Sequence, residues 1–414
     1  MFLRLALSSV WSRKGSVLLT LLAIAVSVFV LLGVEQIRHQ AKNSFNNTVS
    51  GVDLIVGART GDINLLLYSV FRLGNATNNI SWQSYQHIAA DPNVAWTIPI
   101  SLGDSHKGYR VMGTTTDYFT YFRYGQATLL VLAEGKPFSD IFDVVLGSEV
   151  AYKLDYQIGD KLVLAHGLGN TSFSHHKDKP FKVTGILKPT GTPVDQTLHV
   201  SLQGMEAVHV DWQQGIKLPN GHASHTKTQP NLTPDSVTAV MLGLKSKLVS
   251  FKLQRQINTN SNEALLAILP GVTLTQLWQT MAVMESTLRL ISALVLFASL
   301  LGLSAMLLSS IRERQKEIAV MRAIGASPWF LLALIEAEAL LISLGGTLLA
   351  IALLGLFTTL SSNFLTEQFS LYIRSDFLVL QSLLYLPVII GCTLAIGIIP
   401  GISAYRQALQ QQLT

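Results

Sequence analysis

Apolar and polar positions divide this chain unevenly. Residues 16–34 carry no charged side chain and are long enough to cross the hydrocarbon core of a bilayer as a helix. The next run of that kind begins only at residue 290. Residues 290–311 are uncharged, 329–360 are apolar apart from Glu336 and Glu338, and 377–405 are apolar with Pro387 and Pro400 inside, where a bilayer-spanning helix tolerates a kink. The pattern predicts one membrane span, a long polar insertion and three further spans. Ahead of the first span, Phe2, Leu3, Leu5, Ala6 and Val10 are interspersed with Arg4, Arg13 and Lys14, which predicts a short amphipathic helix over 1–15 at the membrane surface. A cleaved signal peptide is the competing reading of this end. The apolar run exceeds the usual h-region, and the GVEQIRHQ after it offers no A-x-A-like site, so the segment reads as a retained anchor.

From 35 to 274 the pattern changes to short alternating runs separated by Gly, Pro, Asn and Thr. Strands are predicted over 53–56, 96–102 and 110–113, with a helix over 81–90 between the first two. A second set of strands falls at 144–146, 161–165, 181–187 and 198–201, after which 236–244 reads as a strand and 246–256 as a helix. The simplest account is an α+β domain carrying an inserted β-rich subdomain over about 138–235. Residues 275–311 then read as one helix. Its first turns place Leu277, Met281, Met284 and Leu288 along one face, as a stalk, before it enters the second span.

Composition agrees with a membrane protein: 49% of residues are hydrophobic and only 13% charged. The net charge of +5 calls for no nucleic acid, because the basic residues collect beside the spans. Arg4, Arg13, Lys14, Arg312, Arg314, Lys316, Arg322 and Arg406 fall on one side of a four-span arrangement, and only Arg374 lies in the short 361–376 loop on the other. Both termini, including a tail over 406–414, are therefore expected inside and the large domain outside. Cys392, the sole cysteine, permits no intrachain disulfide and reads as a small apolar residue. No G-x-x-x-x-G-K-[ST], H-E-x-x-H or G-x-S-x-G occurs, and the spans hold no Asp, His or Lys of the kind that marks an ion relay. An enzyme is not expected.

The densest signal is Ile311 to Gly346, IRERQKEIAVMRAIGASPWFLLALIEAEALLISLGG. Arg312, Glu313, Arg314, Lys316, Glu317 and Arg322 crowd into a connection between two spans, which the excess of Lys and Arg assigns to the cytoplasmic side. The turn is built to restart a helix: Gly325 suits a positive φ, Ser327 a cap, and Pro328 a first helical position. Glu336 and Glu338 sit near the start of the third span, where carboxylates face water or a partner and favour a helix amino end. Glu313, Arg314, Glu317, Ile318, Ala319, Arg322, Ala323, Gly325, Ala326, Ser327, Glu338, Ala339, Gly345 and Gly346 together resemble the FtsX-type permease domain of the FtsX, LolC/LolE and MacB group of type VII ABC transporter permeases, over a region of about 285–408. A looser similarity to the MacB-type periplasmic domain rests on VVLGSEVAYKLDYQIGDKLVL and FKVTGILKPTGTPVDQTLHVSL.

The resemblance implies an α-helical membrane protein of four transmembrane helices, one plus three, with a large MacB-like α+β periplasmic domain between the first and second. It implies residence in a bacterial inner membrane, a cytosolic ABC ATPase subunit that binds ATP and Mg, a second permease chain, and a periplasmic or lipoprotein partner. The loop 312–328 would be the coupling element, with Glu313, Arg314, Glu317, Arg322, Ala323, Gly325, Ala326, Ser327 and Glu338 matching the pattern. Glu313, Glu317 and Arg322 would steer docking, while Ile318, Met321 and Ile324 would fill an apolar groove. Cargo release, FtsX-like control of a periplasmic hydrolase, and a zinc-linked system stay open. The last rests on histidines. His166, His175, His176, His199, His209, His222 and His225 cluster in the outer domain, and His175, His176, His222 and His225 come as two pairs able to complete a four-ligand zinc site. Solvated loop histidines are the plainer account. Tyr118 to Tyr124, YFTYFRY, offers a stacking surface or, more simply, core packing.

Overall fold

The computed structural model describes residues 2–166, 179–209, 212–213, 216–217, 232–313, 315–369 and 384–410. The chain forms two compact units. One takes its first 41 residues and most of the chain after Met281, and the other is built on Lys42–Thr280.

In the first unit, four helices are long and apolar enough to cross a membrane: Lys14–Thr48, Pro270–Glu313, Pro328–Leu360 within the helix Pro328–Phe369, and Tyr385–Ser403 within the helix Tyr385–Gln410. The amphipathic segment is the separate helix Phe2–Ser12. Helices outrun the predicted spans. Residues 35–48 and 361–369 contain no Gly or Pro to stop propagation, so the first helix continues to Thr48 and the third covers part of the loop expected over 361–376. Residues 370–383 lie outside the described residues.

Apolar side chains at helical spacing close this unit. Leu296, Leu300, Leu303, Leu307 and Ile311 of the second long helix pack against Ile24, Val28 and Leu32 of the first and Ile335, Ala339, Ile342 and Leu354 of the third. The Gly345–Gly346 pair sets one approach distance. A Cβ on Gly346 would stand 3.0 Å from the carbonyl oxygen of Leu21 and from Ile24 Cγ2, so a larger residue would push the first helix off the third. The Ser343 and Thr393 hydroxyls hydrogen-bond at 2.8 Å between the third and fourth helices, satisfying two groups that lipid cannot. At the ends of these helices far from Arg13, Arg38 pairs with Glu35 on its own helix and with Glu285 of the second at 3.5 Å, while Arg289 reaches back to Glu35 at 3.4 Å.

The second unit is organised on one mixed sheet. Its strands run Leu265–Ile268, Leu54–Ala58, Ala239–Leu244, Val94–His106, Tyr109–Thr114, Thr197–Ser201, Asp143–Leu146, Phe181–Leu187 and Leu132–Gly135 in spatial order. Thr197–Ser201 runs parallel to Tyr109–Thr114, and Phe181–Leu187 parallel to Asp143–Leu146; the remaining pairs along this path are antiparallel. Both faces are buried. Ile55 and Met241 enter one core while Leu54, Val56, Val240 and Leu242 enter the other, so these strands read as continuous apolar runs.

The strands expected as a separate inserted subdomain join this same sheet through Val94–His106. The first half of that strand pairs with Ala239–Leu244 and its second half with Tyr109–Thr114. The register slips between Leu102 and Ser105, a bulge that bends the strand where the two halves meet. The YFTYFRY stretch serves packing. Tyr118 is fully buried and stacks on Phe122 at 4.8 Å and on His199 at 5.2 Å, and Tyr121 stacks on Trp96 at 5.4 Å. Phe45 and Trp278 meet at 5.6 Å and Phe45 packs on Phe71 at 4.3 Å, which brings residues 42–48 and 270–280 into the core of this unit.

Gly135 ends the outermost strand at φ +75°, and a Cβ there would overlap the carbonyl oxygen of Thr184. Gly135→Ala combines a disfavoured backbone with a clash against a paired strand. It is expected to destabilise the second unit by about 2 kcal/mol or more, read as a lowered midpoint in denaturant unfolding monitored by tryptophan fluorescence.

Candidate functional site

The segment after the second long helix is itself helical over Gln315–Ala323, and it ends in a tight turn. Gly325 takes φ +100°, the amide of Ala326 donates to the Met321 carbonyl at 2.9 Å, and that of Ile324 donates to Val320 at 3.1 Å. The third long helix begins at Pro328, and Ser327 Oγ accepts from the Phe330 amide at 3.2 Å. A left-handed glycine ends one helix and a capping serine starts the next, so the turn itself is set by local chemistry.

The short helix has two unlike faces. Ile318 and Met321 turn inward, into a narrow crevice with Leu307, Ile311, Leu331, Leu334 and Ile335. Helical spacing puts them, half-buried, on the side that covers the membrane-unit core. Outward stand Glu317, Ala319, Val320, Ala323, Ile324 and Gly325, with Ser327 and Trp329 next along the chain. Val320 is 58% exposed, Ile324 81% and Trp329 69%. Glu313 is exposed, and Ala326 is half-buried in the turn. Arg314 and the Arg322 side chain fall outside the described structure.

Glu338 does not share that outer surface. It is buried at the inner end of the crevice, 3.0 Å from Arg13, whose guanidinium also donates to Ser9 Oγ at 3.1 Å. Arg13 sits at the joint between Phe2–Ser12 and Lys14–Thr48. Pairing with Arg13 offsets part of the cost of burying this carboxylate among apolar helices. Glu336 differs as well from an interfacial carboxylate. Its oxygens are buried without a hydrogen-bond partner among the described residues, and a Cβ on Gly397 of the fourth helix would meet Oε2 at 2.6 Å. The outward set of Val320 and Trp329 has no motif to announce it. For Val320 the one signal is the 3.6-residue phase relative to Ile318, which needs the helix placed first, while Trp329 lies beyond the turn on the next helix.

The zinc candidates His175, His176, His222 and His225 lie outside the described residues, and among the described residues no group of three His, Cys, Asp or Glu could hold a metal. Two other histidines of that cluster are structural. His199 is fully buried, and burial together with the nearby Arg72 charge pushes its imidazole down to about 3, so it packs as a neutral ring. His209 is ion-paired with Asp104 at 3.3 Å; burial opposes its charge, but the carboxylate more than offsets this and holds the imidazole above its usual range.

A four-span apolar unit, a mixed-sheet unit inserted after the first span, and a capped helical hairpin between the second and third spans define a permease-type membrane protein. Residues 17–258 match the MacB-like periplasmic core domain, and residues 289–409 match the FtsX-like permease C-terminal domain. The chain belongs to the MacB-like periplasmic core domain family, and its two domains together mark an ABC transporter permease of the MacB/FtsX type. No curated protein matches it. Among solved structures it is similar to the periplasmic region of MacB from Actinobacillus actinomycetemcomitans, at 9% identity and TM-score 0.36, covering 56% of this chain and 94% of that one. It is also similar to the extracellular domain of the noncanonic ABC-type transporter YknZ from Gram-positive bacteria, at 11% identity and TM-score 0.31, covering 52% and 98%.

Removing one partner of the Arg13–Glu338 pair strands a buried charge. Glu338→Gln or Arg13→Gln is expected to cost about 3 kcal/mol in detergent-solubilised protein, and the double variant less than the sum, as a double-mutant cycle of thermal unfolding would show. Additive single effects would mean the pair is not coupled.

Proposed function

We propose that this chain is the membrane subunit through which a separate cytosolic ATPase rearranges the outer unit to move or release cargo such as a lipoprotein, peptide, lipid or small molecule. The observation that carries this reading is the outward face of the hairpin. Val320 and Ile324 present large apolar side chains on a charged helix outside the predicted spans, and exposed Glu313 and Glu317 flank them. An apolar centre with a charged rim is the anatomy of a protein docking patch. Trp329 suits the rim of that patch or the membrane–water boundary.

In this reading ATP binding closes a pair of ATPase subunits, and the closure pushes on the hairpin. The helix Pro270–Glu313 runs 44 residues without a break, about 66 Å at 1.5 Å per residue, and bending it would break its hydrogen-bond ladder. It therefore transmits displacement rather than absorbing it. A second permease chain completes the assembly, the membrane is a bacterial inner membrane, and both termini lie in the cytoplasm. The inward position of Ile318 and Met321 supports the same mechanism, since a docked helix must also grip its own bundle to transmit force.

The variant Val320→Asp with Ile324→Asp is expected to reduce the ATPase that co-purifies from membranes by about tenfold or more, a loss of about 1.4 kcal/mol or more. Folding of the permease should be unchanged, because both positions are exposed. Undiminished co-purification overturns the docking assignment. In a Cys392→Ser background, Ser327→Cys should react with an impermeant maleimide only after permeabilisation; labelling of intact cells overturns the topology.

A further inference from the structure

The second unit holds a cavity of about 390 Å³ at the bulge of the strand Val94–His106, within the range of small-ligand sites. Its walls include Asn75, Asn79, Leu102, Asp104, Arg110 and Thr238. The bulge creates the opening. Where pairing with Ala239–Leu244 runs out, the Leu102 amide is taken by Thr238 Oγ at 3.0 Å, and the strand turns away to pair with Tyr109–Thr114. The cavity thus sits where the two halves of the sheet are joined.

Its wall carries one carboxylate and one guanidinium, and of the two only the carboxylate has an ion-pair partner among the described residues. The Arg110 guanidinium donates to the carbonyl of Gly74 at 2.7 Å and to Asn75 Oδ1 at 3.4 Å, and it makes no ion pair with a carboxylate among the described residues. Arg72, at the base of the segment that carries Asn75 and Asn79, is only 8% exposed. It points at the Ser69 carbonyl and the Met112 sulfur, again with no carboxylate among the described residues. Burial and the Arg72 charge hold Arg110 below its usual range. The acid nearby is Asp104, and it is buried and taken by His209. Two guanidiniums therefore share one region with their positive charge uncompensated, one buried behind the wall and one in it. Burying an arginine without a counter-charge is unfavourable, and a bound anion would supply the missing partner. A guanidinium fork beside side-chain amides and a hydroxyl matches the geometry of a carboxylate or phosphate.

We propose that this cavity is a binding site for the anionic group, carboxylate or phosphate, of a small ligand, with Arg110 as its direct contact, Asn75, Asn79 and Thr238 as neutral donors, and Arg72 as the fixed charge behind it. Because the site straddles the bulge, an occupant ties the two halves of the sheet together. The site is independent of the ATPase reading and stands if that reading fails.

The test is hydrogen–deuterium exchange of the full-length chain in detergent with sodium phosphate, sodium acetate or sodium chloride at matched ionic strength. Peptides covering 72–79 and 101–111 are expected to exchange about threefold or more slowly in phosphate or acetate than in chloride. The stronger of the two arms identifies the anion. Arg110→Gln should abolish that difference while leaving exchange at 54–58 and 239–244 unchanged, which separates loss of the site from loss of the fold. Arg110→Lys keeps the charge and should retain part of the protection. Equal exchange in all three salts, or protection that survives Arg110→Gln, overturns the proposal.

Discussion

A carboxylate buried among apolar helices is costly unless it is paired, and in the first unit Glu338 is paired by an arginine from the far end of the chain. Glu338 lies on the third long helix, and Arg13 lies 325 positions away at the start of the first. For the two to meet at 3.0 Å, the first and third helices must run close together. Gly345 and Gly346 permit that approach two turns further along, where any side chain would strike Leu21 or Ile24. The same contact holds the joint between the amphipathic helix and the first span. It also closes the inner end of the crevice that receives Ile318 and Met321. The ion pair thus borders the crevice that takes the inward side of the hairpin helix.

A second set of charges acts at the other end of the same helices. Glu35, Arg38, Glu285 and Arg289 join the first and second long helices just beyond the apolar runs, with two acids matched by two bases. Their partial exposure makes each pair individually weak, but the network fixes the rotation of one helix against the other. The same two helices meet again through Phe45 of one and Trp278 of the other, within the core of the second unit. Charge therefore sets their pairing in the first unit, and aromatic packing sets it in the second.

Much of this was legible in the sequence, and the reasons differ by element. The spans were visible because a bilayer demands uncharged length. The turn was visible because Gly325, Ser327 and Pro328 each have a conformation they serve best, and Gly325 and Ser327 adopt it. Strands such as 54–58 and 181–187 were visible from apolar and alternating runs. The helix Asp62–Val70 and the strand Leu265–Ile268 were not, since short apolar runs fit either state until neighbours decide. Nor could sequence show that the strands of 138–235 join the main sheet, because Thr197–Ser201 pairs in parallel with Tyr109–Thr114 across more than eighty residues of chain. At the hairpin, residue types drew attention to the segment, but that Ile318 and Met321 line a crevice of their own bundle and that Glu338 meets Arg13 needed the helix phase and a partner at the far end of the chain.

The division of labour on the hairpin helix comes from one geometric fact. A helix of nine residues, Gln315–Ala323, has little more than two turns and so cannot present an apolar face to a partner and bury a second one without splitting its apolar residues between them. Here Ile318 and Met321, three apart, take the inner face, and Val320 and Ile324, four apart, take the outer. In the function proposed above, force applied to Val320 and Ile324 would reach the bundle through the opposite side of the same short segment, where Ile318 and Met321 line one crevice with Leu307 and Ile311.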